Sequence, residues 1–530
     1  MVSRQFIVPI TGISLGLGIL ITSAVLLGVC NYFNYEYAIV IDSGYQNSTF
    51  NLFRWKSERT NFTTRPESLD TCQGPPIVYQ SPSDSKALEE ALIPCVSKLT
   101  SMHSAIKFKE NGATEASSLY FAGSGELRIL SLASPDKATK LVESVANILQ
   151  NKSHFNVRSV SLVNDAREAT YAWIAGNIRE LNEEYLDKPM LDQIKDDQTK
   201  SNSSTELIEK ISESIKTHGI LDLSETVSHA AWEVNQTSVT DAVKITLFGR
   251  NHTIKSFSNV CFGSDKAKLR LSLLLLVAKD SVNKNATIDD PCLPINTTRS
   301  VFSDNLASDE CLSGTINKPP SGLVYKFTGK GDSEKCLEII SKEILDQEAC
   351  KKNFKHCLME SSTAPLLPSN VSFVALNDYL RPIDVLNFTA SSHHINDSDY
   401  LNQTHFTCKL TVDQIKPKMS GFEASEICFR LTYNYVLLKN VHKIANWSNI
   451  IWDRSLLNWS RWPLGIMSNA TAEISPINKG SCEFSLTQFV VCSSLGLLSL
   501  AFSLYSLYLT LKLRRLQNKE VYEPIQQNPM

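Results

Sequence analysis

The segment YAIVIDSGYQNSTFNLFRW, Tyr37 to Trp55, joins an apolar run, an aspartate, a glycine turn and a second run of alternating polarity. Two such runs separated by a short turn predict a strand–turn–strand unit. Asp42 stands where the first strand gives way to the turn. The segment therefore predicts a hairpin whose turn presents a carboxylate to a ligand.

A second segment, HGILDLSETVSHAAWEVN (His218 to Asn235), repeats this layout. Its apolar strand also ends in an aspartate, Asp222, which is followed by a polar turn and an alternating strand. A duplicated unit with one aspartate per copy suits two lobes that clamp a polyphosphate and its metal ion. The alternative is that strand ends often carry aspartate and that the two copies arose by chance.

The rest of the chain alternates short apolar strands with helical stretches, for example VRSVSLVND followed by EATYAWIAGNIRELNEEYL. This alternation predicts a mixed α/β fold. With 530 residues, 42% apolar content and a formal net charge of −3, the chain can form one large core or two ordinary ones. The near-zero charge argues against nucleic acid as a partner.

Two long apolar runs predict a membrane protein. Residues 6–30 and 489–511 are each long enough to cross a bilayer as a helix. A basic segment, LKLRRLQNK, follows the second run and marks the cytoplasmic side. We therefore expect short cytoplasmic tails at 1–5 and 512–530 and an extracellular or lumenal domain at 31–488. A cleaved signal peptide is the alternative for the first run, although its apolar core is long and no clean cleavage site follows.

The composition of the predicted ectodomain supports a secretory compartment. It contains about fifteen Asn-x-Ser/Thr glycosylation sequences. Eleven of the thirteen cysteines of the chain also lie between the two apolar runs. They lack the close CxxC pairs of zinc sites, so a disulfide framework is favoured, although sequence alone leaves its connectivity open. The odd number leaves one thiol over, and Cys482 is the expected one.

Five short blocks, in order along the chain, resemble the apyrase family, the ectonucleoside triphosphate diphosphohydrolases. The blocks are IDSGYQNST, NGATEASSLY, REATYAWIAGN, ILDLSETVSH and LFGRNHTIKSFSNVCFGSDKA, and WPLGIMSNATAEI resembles a further family segment near the second apolar run. The resemblance covers nearly the whole ectodomain and both apolar runs. It implies a two-lobed fold of the actin and hexokinase (ribonuclease H-like) type. It also implies five disulfides: Cys72–Cys95, Cys261–Cys311, Cys292–Cys336, Cys350–Cys357 and Cys408–Cys428.

The resemblance also implies roles for the matched residues. Glu168, in the third block, would be the base that activates water. Asp42 and Asp222 would hold Ca²⁺ or Mg²⁺, largely through coordinated water. The residues expected at phosphate or nucleotide are Gly44, Tyr45, Gln46, Asn47, Thr114, Ser224, Glu225, Tyr379 and Tyr433. Tyr379 and Tyr433 would stack on the nucleobase of the nucleotide, with ordinary core packing as the alternative.

Both phosphate turns depart from the family pattern. Tyr45 and Gln46 replace two small serines. Ser224 and Glu225 replace two glycines, which would let backbone amides approach phosphate closely. Asn47 also begins a glycosylation sequence, and a glycan there would block the cleft.

The sequence thus supports two functions. The first is a membrane-bound nucleotidase that cleaves terminal phosphates of nucleoside tri- or diphosphates. The second is a catalytically weak or inactive relative that binds nucleotide or protein on the same scaffold. The expected location is the plasma membrane, with homo-oligomers possible through the membrane helices. An endosomal, lysosomal or Golgi location is the alternative, because the tail VYEPI, with Tyr522 and Ile525, resembles a tyrosine sorting signal.

Overall fold

The computed structural model describes eleven segments of the chain. They are residues 4–33, 35–56, 63–102, 117–181, 217–234, 241–357, 367–386, 395–418, 424–452, 462–474 and 486–520. They divide into two compact units, one that contains the two terminal helices and one that comprises Tyr37–Trp55 and Arg59–Ser475. Cys482, Thr114 and the tail with Tyr522 lie outside the described residues.

The described helices and strands alternate, as the sequence pattern predicted. The helices are α1 (Arg4–Phe33), α2 (Ser85–Met102), α3 (Gly125–Ala133), α4 (Pro135–Lys152), α5 (Asp165–Leu181), α6 (Ser264–Ala278), α7 (Ser303–Ser308), α8 (Ser333–Ile339), α9 (Gln347–Asn353), α10 (Asp397–Cys408), α11 (Val412–Ile415), α12 (Ile427–Val436), α13 (Trp462–Thr471) and α14 (Leu486–Glu520). The strands are β1 (Tyr35–Ser43), β2 (Ser48–Lys56), β3 (Glu67–Gly74), β4 (Ser118–Gly123), β5 (Asn156–Leu162), β6 (Gly219–Leu223), β7 (Val227–Glu233), β8 (Ala242–Leu247), β9 (Arg250–Val260), β10 (Ala286–Asp290), β11 (Thr298–Phe302), β12 (Val324–Gly329), β13 (Phe373–Asn377) and β14 (Ile450–Ile451). The mixed α/β fold class is confirmed.

Three sheets organise the described residues of the larger unit. One has five strands in the order β3-β2-β1-β4-β5, one has six in the order β14-β13-β6-β7-β9-β8, and one has three in the order β10-β12-β11. The two predicted strand–turn–strand units are β1–β2 and β6–β7, and they lie in the interior of different sheets. The β6–β7 pair is antiparallel, whereas β1 and β6 each have a parallel neighbour on the other side, β4 and β13.

A helical layer shared by the two large sheets fixes their hairpins in one core. Trp173 of α5 and Met467 of α13 are fully buried together with Val40 of β1 and Ile220 of β6. The two helices approach closely because of Gly465: a Cβ there would lie 1.9 Å from the Tyr171 carbonyl oxygen. Burial of apolar side chains from both sheets against α5 therefore determines where the residues at the start of this helix lie.

The outer faces of the sheets have their own cores. Helices α2 and α4 cover the five-stranded sheet, and α6 and α12 cover the six-stranded one together with the three-stranded sheet. All five disulfides that the resemblance implied are present, and four of them lie after α5: Cys72–Cys95, Cys261–Cys311, Cys292–Cys336, Cys350–Cys357 and Cys408–Cys428.

The smaller unit pairs α1 with α14 through small residues. The Ser499 hydroxyl donates a hydrogen bond to the Gly12 carbonyl at 3.3 Å, and a Cβ on Gly16 would lie 2.9 Å from the Gly496 carbonyl. Such contacts are typical of helix pairs in membranes. Of the described helices, Phe489–Leu516 is long and apolar enough to span a membrane, whereas the apolar part of α1, Thr11–Leu26, is shorter. The first span, at 6–30, remains a prediction.

Candidate active site

The first wall of the candidate site is the turn between β1 and β2. Parallel pairing of β1 with β4 sets Asp42 opposite Ala122 and Ser43 opposite Gly123. The next residue of the β4 chain, Ser124, therefore lies beside Asp42, and its hydroxyl donates a hydrogen bond to the Asp42 Oδ1 atom at 3.0 Å. Strand register alone thus delivers a hydroxyl group to the first carboxylate.

Sequence reasoning overlooked Ser124 and gave the hydroxyl role to Thr114. Thr114 lies outside the described residues, so its role stays a prediction. The signal for Ser124 was the apolar strand SLYFAG, which ends directly before the helix GELRILSLA. A strand end followed by a helix start is the same kind of position that singled out Asp42.

The second wall is the turn between β6 and β7. Asp222 lies opposite His229 in this antiparallel pair. The side-chain amide of Asn377, at the end of the neighbouring strand β13, donates a hydrogen bond to Asp222 Oδ1 at 2.6 Å. The second carboxylate therefore has an amide partner where the first has a hydroxyl.

The departure of Ser224 from glycine has a structural effect on this turn. Its hydroxyl oxygen accepts hydrogen bonds from the Thr226 and Val227 amides at 3.3 and 3.0 Å. The Ser224 amide in turn donates to the Val227 carbonyl at 2.9 Å. Three amides of this turn are thus engaged within it, and a glycine turn would leave such amides free for phosphate.

Glu168 lies in the first turn of α5, and its side chain is only 7% exposed. The Arg128 Nη2 atom lies 2.7 Å from its Oε2 atom, and the His229 Nε2 atom lies 3.3 Å from its Oε1 atom. Burial would raise the pKa of Glu168, but attraction to Arg128 and His229 outweighs it and lowers the pKa below the usual value. The third acid is therefore held ionised, as a proton acceptor must be.

The three acids line one cavity of about 280 Å³. Burial, and then repulsion from Glu168, raise the pKa of Asp42 to about 7. Burial also raises the pKa of Asp222, against the opposing attraction of His229. Carboxylates whose charged forms are disfavoured in this way gain stability from a cation placed beside them.

Oxygen ligands of this kind suit Ca²⁺ or Mg²⁺. Within the described part of the chain, no group of three or more His, Cys, Asp or Glu side chains has the geometry to enclose a metal ion. Two carboxylates with hydroxyl and amide partners fit an ion that keeps most of its water, which is how magnesium is usually bound. Asp42 and Asp222 are thus compatible with the predicted water-mediated role.

A charged network forms a further wall. Among the described residues that line the cavity, Arg381 is the one Lys or Arg. Its Nη1 atom lies 3.3 Å from Asp378 Oδ1 and 3.9 Å from Glu225 Oε1. Asp378 is also paired with the buried Arg430. Arg381, the cationic side chain best placed to contact a phosphate, is therefore already paired with two carboxylates.

The turn between β1 and β2, Gly44–Asn47, lines the same cavity. The Tyr45 ring is held by the Lys266 ammonium, 4.5 Å from the ring centroid, and Gln46 Nε2 reaches Asp265 Oδ2 at 3.5 Å. Asn47 Nδ2 donates a hydrogen bond to Gln73 Oε1 at 3.3 Å. The side chains that replace small serines are thus anchored to their surroundings.

The structure corrects the expectation for the two stacking tyrosines. Tyr379 and Tyr433 are both fully buried in the core under the six-stranded sheet. The Tyr379 hydroxyl lies 2.8 Å from His442 Nε2, and the Tyr433 hydroxyl donates to the Phe262 carbonyl at 2.8 Å. Because both rings are enclosed and both hydroxyls are satisfied, the alternative of core packing describes them.

Comparison with known protein families gives a match over most of the chain. Residues 30–479 match the model of the GDA1/CD39 (nucleoside phosphatase) family. The chain belongs to this family.

Relatives with low sequence identity to this chain align over most of its length. Ectonucleoside triphosphate diphosphohydrolase 3 of Mus musculus is 24% identical over 495 residues, which cover 89% of this chain and 85% of the relative. Ectonucleoside triphosphate diphosphohydrolase 1 of Mus musculus is 23% identical over 450 residues, which cover 83% and 81%. A crystal structure of nucleoside triphosphate hydrolases from Neospora caninum has a TM-score of 0.53 at 8% identity and covers 86% of this chain and 95% of that chain, so its likeness concerns the fold alone.

Proposed function

We propose that this chain is a membrane-anchored nucleotidase that hydrolyses the terminal phosphates of nucleoside tri- or diphosphates with Ca²⁺ or Mg²⁺. The observation that carries the proposal is the convergence of Asp42, Asp222 and Glu168 on one cavity from three separate elements of the chain. Membership of a nucleoside phosphatase family supports it.

In the proposed mechanism, the terminal phosphate enters between the two turns. Glu168 accepts a proton from the attacking water at Oε1, while Arg128 holds the other oxygen of the carboxylate. The Ser124 hydroxyl orients Asp42, and the Asn377 amide orients Asp222. A bound divalent cation would neutralise charge on the phosphate oxygens. Arg381 would donate to the same phosphate once it is released by Glu225.

The proposal includes the predicted organisation of the chain. Residues 31–488 would form a two-lobed, actin-like ectodomain outside the cell, between spans at 6–30 and 489–511 and short cytoplasmic tails at 1–5 and 512–530. The helix Phe489–Leu516 supports the second span. The plasma membrane is the proposed location, with an endosomal, lysosomal or Golgi membrane as the alternative.

A specific observation favours the second function, an inactive relative that binds nucleotide or protein. Glu225 places a carboxylate in the turn that is expected to bind phosphate, and its Oε1 atom lies 3.9 Å from Arg381 Nη1. Ser224 also engages two amides of the same turn. Such a cleft would bind phosphate weakly and turn it over slowly.

Phosphate release by the full-length chain in detergent separates the two functions. ATP, ADP, UDP and GDP would be tested with Ca²⁺, with Mg²⁺ and with a chelator. We expect cation-dependent release that Glu168→Gln lowers by about 10²- to 10⁴-fold, because the amide cannot accept a proton. Glu143→Gln, an exposed change on α4, is the control and should have no effect. Equal activity of Glu168→Gln and the wild type would refute the role of Glu168, and no release with any nucleotide would favour the inactive relative.

A further inference from the structure

Two pairs of exposed apolar side chains lie on the surface of the larger unit. In the first pair, Phe302 of β11 lies opposite Val324 of β12, so both side chains project from the same face of the three-stranded sheet. They are 56% and 42% exposed. Neighbouring apolar side chains that are open to solvent indicate a place where another group packs.

The second pair lies where the end of α10 meets the residues just before β11. A Cβ on Gly331 would lie 2.8 Å from Ile295 Cγ1 and 2.5 Å from the Cys408 carbonyl oxygen, so Ile295 is close to the end of α10. Ile295 also forms a parallel β-bridge with Thr411, which follows this helix. Phe406, in the last turn of α10, is 54% exposed, and Ile295 is 36% exposed.

A glycosylation sequence lies beside the first pair. Asn285, which begins NAT, is exposed directly before the edge strand β10. Its Oδ1 atom accepts a hydrogen bond from the Val324 amide at 2.9 Å. This contact holds the Asn285 side chain through its oxygen, whereas a sugar is attached through the nitrogen. A sugar on Asn285 therefore starts next to Val324.

Two glycosylation sequences lie beside the second pair. Asn296, which begins NTT, directly follows Ile295 and has a positive φ of 61°. Asn402, which begins NQT, stands four residues before Phe406 on α10, so the two side chains are neighbours on one face of the helix. Both asparagines are exposed. Sugars on Asn296 and Asn402 would therefore start on either side of the pair.

Other exposed glycosylation sequences have different surroundings. Asn151, in the last turn of α4, begins NKS, and its neighbours Gln150 and Lys152 are polar and exposed. Asn396 caps α10, and its Nδ2 atom donates a hydrogen bond to Asp399 Oδ2 at 2.7 Å. A position beside exposed apolar side chains is thus a property of particular sites and not of every exposed glycosylation sequence.

We propose that N-linked glycans on Asn285, Asn296 and Asn402 pack over the two apolar pairs and shield them from water. In the attachment reaction, the amide nitrogen forms a bond to C1 of an oligosaccharide carried on a lipid pyrophosphate. The bond from C1 to the carrier oxygen breaks, and the amide proton passes to the pyrophosphate. The C–H face of a sugar ring covers apolar surface while its hydroxyls stay in water. The proposal goes beyond the nucleotidase activity and requires only that these residues lie outside the cell or in a lumen.

Mass spectrometry of the full-length chain, expressed in a host with a secretory pathway, tests whether the sites carry glycans. A peptide N-glycosidase acting in heavy-oxygen water labels each asparagine from which it removes a glycan. We expect labels at Asn285, Asn296 and Asn402. An unlabelled asparagine among the three would overturn the proposal.

The rate at which the same enzyme releases each glycan from the native chain in detergent tests the shielding. Phe406→Ser should speed release at Asn402 about fivefold, because covering roughly 40 Å² of apolar surface corresponds to this ratio. Phe406→Leu keeps an apolar side chain and should behave like the wild type. Phe302→Ser should speed release at Asn285 in the same way. Leu132→Ser, a change at a 46% exposed side chain of α3, is the matched control and should alter neither rate.

Unchanged release at Asn402 in Phe406→Ser, or at Asn285 in Phe302→Ser, would overturn the proposal. Equal acceleration at every glycosylated site would overturn it as well, since a general loosening of the fold would then explain the rates. Acceleration confined to the site beside the altered side chain is the result that supports it.

Discussion

Replacing Glu225 by glutamine should strengthen nucleotide binding. Glu225 stands in the β6–β7 turn at a position where the resemblance to the family implies glycine, and its Oε1 atom lies 3.9 Å from the Nη1 atom of Arg381. Glutamine keeps the size of the side chain and removes its charge. The variant therefore frees Arg381 from one of its two carboxylates and removes one negative charge from a cleft that must receive phosphate.

The geometry sets the expected size of the effect. Unit charges 3.9 Å apart interact by about 4 kcal/mol at an effective dielectric constant of about 20. The Arg381 and Glu225 side chains are 45% and 38% exposed, so solvent screening reduces the pair to at most about 1 kcal/mol. This corresponds to roughly a fivefold change in affinity. We expect KM for nucleoside diphosphates to fall about fivefold, and kcat to change little because Glu168 is untouched.

The assay is steady-state phosphate release at low and at high salt, with Glu143→Gln as the charge-matched control. Screening weakens interactions between exposed charges, so the gain of Glu225→Gln should shrink as salt is added. A KM equal to that of the control at low salt would refute the reasoning. A gain that persists unchanged in high salt would show that charge is not its cause.

Three further predictions follow from other contacts. Arg128→Met removes the stronger ionic partner of Glu168, so the pKa of Glu168 should rise. The acidic limb of the pH–rate profile should therefore move to higher pH, and a limb at unchanged pH would contradict this. Folding raises the pKa of Asp42 from 3.8 to about 7, so without cations its contribution to stability is complete below pH 4 and is lost as pH rises through 7. With a discount for the partial exposure of Asp42, we expect this contribution to be about 2 kcal/mol. Thermal unfolding in chelator should detect the pH dependence, and Asp42→Asn or added Ca²⁺ should abolish it. Gly465→Ala places a Cβ 1.9 Å from the Tyr171 carbonyl and should lower the free energy of unfolding by about 3 kcal/mol in denaturant titrations, against no loss for a change at exposed Glu143.

Sequence patterns predicted the parts of the site that belong to regular elements. Asp42 and Asp222 were visible because each ends an apolar strand, and strand periodicity is a local property. The role of Glu168 was predicted from the third block of the resemblance. The helix that carries it was predicted from the periodic spacing of its apolar residues. The disulfide pairs depended on the resemblance, since spacing alone leaves many connectivities open.

Side chains brought in by pairing between distant segments were not visible in the same way. Ser124 reaches Asp42 only through the register of β4 against β1, which the sequence does not state. Arg381 enters the cavity from the start of the short 3₁₀-helix that follows β13. Tyr379 and Tyr433 are buried in the core, contrary to the predicted stacking role. The sequence around an aromatic residue does not show whether its ring faces the core or the cleft.

The position of Asn47 has a consequence for how activity would be measured. Asn47 lines the cavity beside Gly44, and its side-chain nitrogen is the atom that would carry a sugar. Attachment to the nascent chain precedes folding of the loop, so each molecule would be committed once, during synthesis, to an obstructed or an open cleft. A purified sample would then be a mixture of silent and competent molecules, and its specific activity would report the occupancy of one asparagine as much as the chemistry of Glu168. Two expression hosts could yield the same polypeptide with different apparent turnover.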